Sequence, residues 1–213
     1  MEEEEQPLIS KDEKKFLVIS GGATLVTVIL QIVSLGLKDW VYYCYFKWGL
    51  LGAETSDSGL NDLVGGDTGY SNLHDDLCGG YQKVIEAACD GFCGNVKRLE
   101  VAGIVFLVFG ILSVLLNLFY LVTYFLNGFK SVKTTKNWVL YCGIFAASVS
   151  YFVGLILYLA IGNIYGMDST WRSNENLSTK AGLALAYVAL ILNIGANALA
   201  YLKVGPLYKP PLK

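Results

Sequence analysis

The chain has 213 residues, 54% of them apolar and 16% charged, with a formal net charge of −2 and a mean hydropathy of +0.48. That composition excludes a disordered chain and fits a soluble globular domain poorly. A single histidine, His74, excludes the paired axial ligands of a membrane b-type haem, a His-rich metal site and an intramembrane histidine relay.

In chain order, residues 1–15 form a short tail that opens Met1-Glu2-Glu3-Glu4-Glu5. Within it, Glu4-Glu5-Gln6-Pro7-Leu8-Ile9 resembles an acidic dileucine sorting signal: the acid Glu4, three residues, then Leu8-Ile9. That motif implies a clathrin adaptor as a cytoplasmic partner and traffic to endosomes, lysosomes or vacuoles. The alternative is an acidic, solvated tail.

Phe16–Leu37 is the first of four stretches without Asp, Glu, Lys or Arg; the others are Val101–Leu126, Trp138–Gly162 and Ala181–Leu202. Each is at least 22 residues long, and about 20 apolar residues in a helix cross the hydrocarbon core. Four transmembrane helices in the lipid bilayer are predicted, with outer loops at 38–100 and 163–180 and a C-terminal tail at 203–213. The acidic flank and the lack of a small-residue cleavage site make the first stretch a span and not a signal peptide. No span carries a carboxylate or a base. Proton-coupled transport, and catalysis within the membrane, thereby lose their usual groups.

Lysines set the orientation. Lys11, Lys14 and Lys15 flank the first span, Lys130, Lys133 and Lys136 lie in Asn127–Asn137, and Lys203, Lys209 and Lys213 follow the last span. Ten acids lie in Lys38–Glu100. Both termini are expected to be cytoplasmic, in the plasma membrane or an endosomal, lysosomal or vacuolar membrane. Trp40, Trp48, Trp138 and Trp171 lie near span ends or in the outer loops, where interfacial anchoring is the simplest role.

The first outer loop begins with the aromatic run Asp39–Trp48, which reads as one strand by propensity. Ala53–Leu77, rich in Gly, Asp, Ser and Asn, reads as an irregular exposed insertion, and Tyr81–Ala88 as a short helix. Cys44, Cys78, Cys89 and Cys93 favour disulfides if the loop is not cytosolic. Three pairings are possible; Cys78 with Cys89 or Cys93 is preferred because it closes a short loop. Cys89-x-x-x-Cys93 has no second ligand pair for zinc and is one residue too long for a redox Cys-x-x-Cys. No metal, cofactor or nucleic acid is expected, and no enzyme activity.

Helices in lipid associate through small residues and polar side chains. The third span offers Ala146, Ser150 and Gly154 at intervals of four, and the fourth places Asn193 and Asn197 on one face. Gln31 and Asn117 are the strong hydrogen-bonding groups of the first two spans. All read as interhelical contacts, within the chain or against another membrane protein. Asn176-Leu177-Ser178 is a glycosylation sequon close to the fourth span.

Four spans, a long first outer loop and a short second one resemble the claudin superfamily. That group includes the peripheral myelin proteins and the regulatory subunits of glutamate receptors and calcium channels. Its first-loop signature is a Trp after the first span, then Gly-Leu-Trp, two cysteines and a basic residue at the second span. Trp40 matches the first Trp, Gly49-Leu50 match the Gly-Leu with Leu51 in place of Trp, Cys78 with Cys89 or Cys93 match the pair, and Arg98 matches the basic residue. The resemblance implies an all-α membrane protein, a four-helix transmembrane bundle with a small antiparallel β-sheet in the first outer loop. It implies a non-enzymatic role through association with another integral membrane protein or with itself, as an auxiliary subunit or an adhesion and barrier element. The alternative is a small-solute or ion transporter or channel in its own right.

Overall fold

The computed structural model describes residues 11–55, 59, 67–89, 91–129, 137–164 and 178–199. The sorting motif at Glu4, Leu8 and Ile9, the C-terminal lysines Lys203, Lys209 and Lys213, the loop lysines Lys130, Lys133 and Lys136, and Trp171 lie outside the described residues.

Four long helices carry the chain: α1 (Lys11–Gly36), α4 (Phe92–Phe129), α5 (Asn137–Ile161) and α6 (Ala181–Leu199). All four contain stretches long and apolar enough to cross a membrane. Between α1 and α4 come strands β1 (Val41–Tyr43), β2 (Phe46–Trp48), β3 (Gly52–Thr55) and β4 (Asp67–Gly69). Short helices α2 (Tyr70–His74) and α3 (Gln82–Ala88) follow, joined by a π-helical turn at Asp75–Gly80. A two-residue strand β5 (Ser178–Thr179) precedes α6.

The sheet is antiparallel, in the order β4-β3-β2-β1-β5. Strand β5 comes from the second loop and pairs Val41 with Thr179 and Tyr42 with Ser178. Both loops therefore lie at the same end of the bundle, and the second completes the sheet of the first.

Expectations about the first loop and the second helix need correction. The aromatic run is not one strand. It is a hairpin whose two-residue turn, Cys44-Tyr45, holds both residues at positive φ, 52° and 69°. The described parts of Ala53–Leu77 are not irregular and exposed, because they contain β3 residues, β4 and α2 and bury Ala53, Tyr70, Leu73 and Leu77. The second long helix starts at Phe92, ahead of the charge-free stretch at Val101. Its 38 residues rise about 57 Å, more than the ~30 Å that a hydrocarbon core requires. The first turns of α4, through Phe92, back the sheet.

The core runs without a break from sheet to bundle. Tyr43, Phe46 and Trp48 on the inner sheet face pack on Phe92 of α4, at ring separations of 6.3, 6.0 and 5.9 Å. One layer deeper, Trp40 meets Phe106 at 4.9 Å and Tyr158 at 5.1 Å. Trp40 and Trp48 are fully buried, so these two indoles are core residues and not interfacial anchors.

Candidate functional site

The sheet is tied to the bundle around Trp40. Its indole Nε1 donates to the Ser34 carbonyl at 2.8 Å, which turns the chain back over the end of α1. Its backbone N–H donates to Trp48 O at 2.9 Å and its carbonyl accepts from Lys180 N at 3.1 Å. The neighbouring Asp39 carbonyl accepts from Gly182 N at 2.8 Å, at the first turn of α6. Two residues thus link α1, β2 and α6. The Lys180 ammonium also lies 5.5 Å from the Tyr42 ring centroid, a cation–π distance.

Gly49 and Leu50 form the turn between β2 and β3. Gly49 N donates to Gly52 O at 2.8 Å, and the Tyr70 hydroxyl donates to Gly49 O at 2.7 Å. Leu50 is buried, and its carbonyl lies so close to Gly103 of α4 that a methyl group there would overlap it. Arg98 is exposed on α4, two turns in from Phe92. Burial pushes the Tyr70 hydroxyl well above its ordinary pKa, with smaller contributions from Tyr158 and Glu100.

The four loop cysteines form two bonds, Cys44–Cys89 and Cys78–Cys93. The Cα separations are 6.1 and 5.8 Å, within the range that a disulfide spans. The first ties the hairpin tip to the end of α3, and the second ties the π-helical turn to the start of α4. A loop that would otherwise hang from the membrane becomes a braced cap.

Inside the bundle, α1 shows a feature that attention to strong amides alone misses. Ser20, Thr24, Thr27, Gln31 and Ser34, spaced alternately by four and three, are all buried, while Val18, Leu25, Ile29 and Ile32 are exposed. The spacing was the available signal. The helix is polar inward and apolar outward, the arrangement that a lipid solvent favours when polar groups bind helices together. Gln31 Nε2 donates to Ser113 Oγ at 3.0 Å, and Asn117 Nδ2 donates to Gln31 Oε1 at 3.2 Å. Ser113 Oγ donates onward to Ala147 O at 2.8 Å, and Ser34 Oγ shares a hydrogen bond with the Tyr151 hydroxyl at 3.1 Å. Three helices, α1, α4 and α5, are joined at mid-bundle.

On α5, Ser150 donates to Phe109 O at 3.0 Å, and a Cβ on Gly154 would come within 2.7 Å of Phe109 Cβ. Both lie on the packed face. Ala146 does not: it is exposed, and Ala147 is the buried residue. One helical position, about 100° of rotation, separates them. On α6, Asn193 is fully buried, and Asn197 Nδ2 donates to Asn193 Oδ1 at 3.4 Å, to Ile144 O at 3.2 Å and to Ser148 Oγ. Asn197 thus holds α6 to α5 within this chain, and Asn193 supports it from one turn away on the same helix.

Among the described residues, no group of three or more His, Cys, Asp and Glu side chains converges as a metal centre would. Neither a protein-family model nor a curated protein sequence matches this chain. Its chemistry is read from its own geometry: two structural disulfides, hydrogen-bonded helix contacts and a cap with exposed apolar side chains. Tyr45 at the hairpin tip is 48% exposed, and Tyr81 just before α3 and Val84 within it are 51% and 70% exposed.

Proposed function

We propose that this chain is a claudin-like tetraspan protein that works by association in the membrane, as an auxiliary or structural subunit of a larger complex or as an adhesion and barrier element. The observation that carries the reading is the disulfide-braced sheet joined to the bundle through Trp40 and presenting Tyr45, Tyr81 and Val84 to solvent. Fixed exposed aromatic and aliphatic groups are what a binding surface requires, because little conformational freedom is lost on contact. In this reading the termini are cytoplasmic, the cap faces outside or a lumen, and Glu4, Leu8 and Ile9 engage a clathrin adaptor.

A transporter or channel is the rival reading. The buried polar stripe of α1 is the one feature in its favour. Gln31, Asn117 and Asn197 bond across to neighbouring helices, which favours association. Mild-detergent extraction from native membrane, followed by sizing and partner identification, tests the two. A stable complex with another membrane protein supports the subunit role, and homotypic arrays support adhesion. A lone chain that carries ion currents in liposomes overturns both in favour of transport.

A further inference from the structure

A cleft of about 230 Å³ opens where α1 meets the sheet. It is lined by Leu35–Lys38 at and just after the end of α1, by the Gly49–Ala53 turn and by Thr68 and Gly69 of β4; Lys38 is exposed. Leu51 stands at its edge, 62% exposed. The depth of this cleft follows from two neighbours. Lys38 is the first charged residue after the uncharged stretch of α1. The adjacent Leu50 carbonyl lies against Gly103, just inside the uncharged stretch of α4 that begins at Val101. Both helices therefore cross from charged to uncharged sequence at the level of the cleft, which is where the bilayer's headgroup region gives way to hydrocarbon.

The apolar wall is also continuous with a surface that lipid covers. Ile32 and Val33, one turn below Leu35 and Leu37, are exposed on the outward face of α1. From that continuity we infer that the cleft holds one phospholipid of the leaflet on the sheet's side. Its glycerol and upper acyl chain lie against Leu35 and Leu51, and its phosphate lies near the Lys38 ammonium. The cleft is smaller than the about 300–1,000 Å³ of a site that engulfs a whole drug-sized ligand. It suits a ligand most of whose length remains in the bilayer. Leu51, the residue that replaces Trp in the resembled signature, is then a lipid contact, and its exposure has a physical reason.

The test uses the full chain in vesicles of phosphatidylcholine and phosphatidylglycerol. A photoreactive benzoylphenylalanine replaces Leu51 in one variant and the equally exposed Val84 in another. Irradiation should add the mass of one phospholipid at position 51 and none at position 84. Lys38→Glu in the position-51 variant should reduce the phosphatidylglycerol adduct by about fivefold or more, since one basic residue at an anionic surface contributes about 1 kcal/mol. Non-reducing peptide mapping of Cys44–Cys89 and Cys78–Cys93 verifies that each variant has folded. A protein adduct at position 51, no adduct, or an equal lipid adduct at position 84 overturns the proposal. A lipid adduct at position 51 that ignores Lys38→Glu also overturns it, as that is ordinary boundary lipid. A protein adduct at position 51 would support association while overturning the lipid site, so the two readings fail separately.

Discussion

Gly182 leaves room for Trp40 and for nothing more. A Cβ on Gly182 would lie 2.5 Å from Trp40 Cδ1 and 2.7 Å from Nε1, with the indole already held by the Ser34 carbonyl. Glycine at the first turn of α6 is thus a steric requirement of the sheet–bundle junction. Gly182→Ala should destabilise the protein by about 1–3 kcal/mol, the usual cost of an extra methyl in a packed core. Gly195, on the same helix and facing open space, is the control. There Ala should be neutral, or stabilising by up to about 1 kcal/mol from reduced chain entropy. Thermal unfolding in detergent, followed for both variants, checks the contrast; equal effects would remove Trp40 from its place at the centre of the junction.

Gln31 hydrogen-bonds both Ser113 and Asn117. Gln31→Leu keeps most of the volume but leaves the Asn117 amide without its acceptor. The loss should be about 0.6–2 kcal/mol, the range measured for interhelical hydrogen bonds in membranes. Asn117→Leu added to Gln31→Leu should cost less than the sum of the two single changes, since the orphaned group is then gone. Additive effects in the cycle would show that the two amides are not coupled.

The hairpin turn carries strain that a substitution can release. Cys44 and Tyr45 both sit at positive φ, in a two-residue loop that favours Asn-Gly. Each costs about 1–2 kcal/mol relative to an unstrained conformation. The Cys44–Cys89 bond holds the turn in place, so Cys44 is not the residue to change. Tyr45→Asn should raise stability by about 1 kcal/mol, because Tyr45 is half exposed and contributes its backbone carbonyl, not its ring, to the bond from Thr55. The same substitution removes an exposed aromatic from the proposed binding surface. A variant that is more stable yet recovers less partner after extraction would separate the two roles of this residue.

The pattern of what could be read in advance has physical reasons. The absence of charge over 22 or more residues is decisive, because few other environments tolerate it, and the four long helices follow. The hairpin was hidden because Cys44-Tyr45 carries none of the residues that mark such a turn. Strand β5 was hidden because two residues leave no periodic signal, and its position depends on Trp40 and Asp39 presenting carbonyls to Lys180 and Gly182. The shift from Ala146 to Ala147 reflects a different weakness. A run of small residues defines a possible face, but the bulky partners Phe106 and Phe109 decide which rotation buries it. Cysteine pairing depended on the same tertiary placement: Cys44 meets Cys89 across 45 residues of sequence, at the tip of a hairpin that the sequence did not reveal.

Tyr70 should make the cap sensitive to alkali. Its hydroxyl donates to Gly49 O inside the core, and burial holds its pKa well above the ordinary phenol value. In the unfolded chain the phenol ionises near pH 10. Above that pH the unfolded state releases a proton that the folded state retains, so unfolding becomes more favourable. The contribution of Tyr70 is fully present below about pH 10 and declines as pH rises toward the folded pKa, at up to about 1.4 kcal/mol per pH unit. Tyr70→Phe should lose about 1–3 kcal/mol at neutral pH, because the Gly49 carbonyl is left unpaired. It should also flatten the decline above pH 10. Unfolding followed between pH 8 and about pH 11, with the disulfides intact, measures the difference between the two proteins. Because the other tyrosines titrate in both, that difference isolates Tyr70, and parallel curves would show that its hydroxyl is not buried against the Gly49 turn.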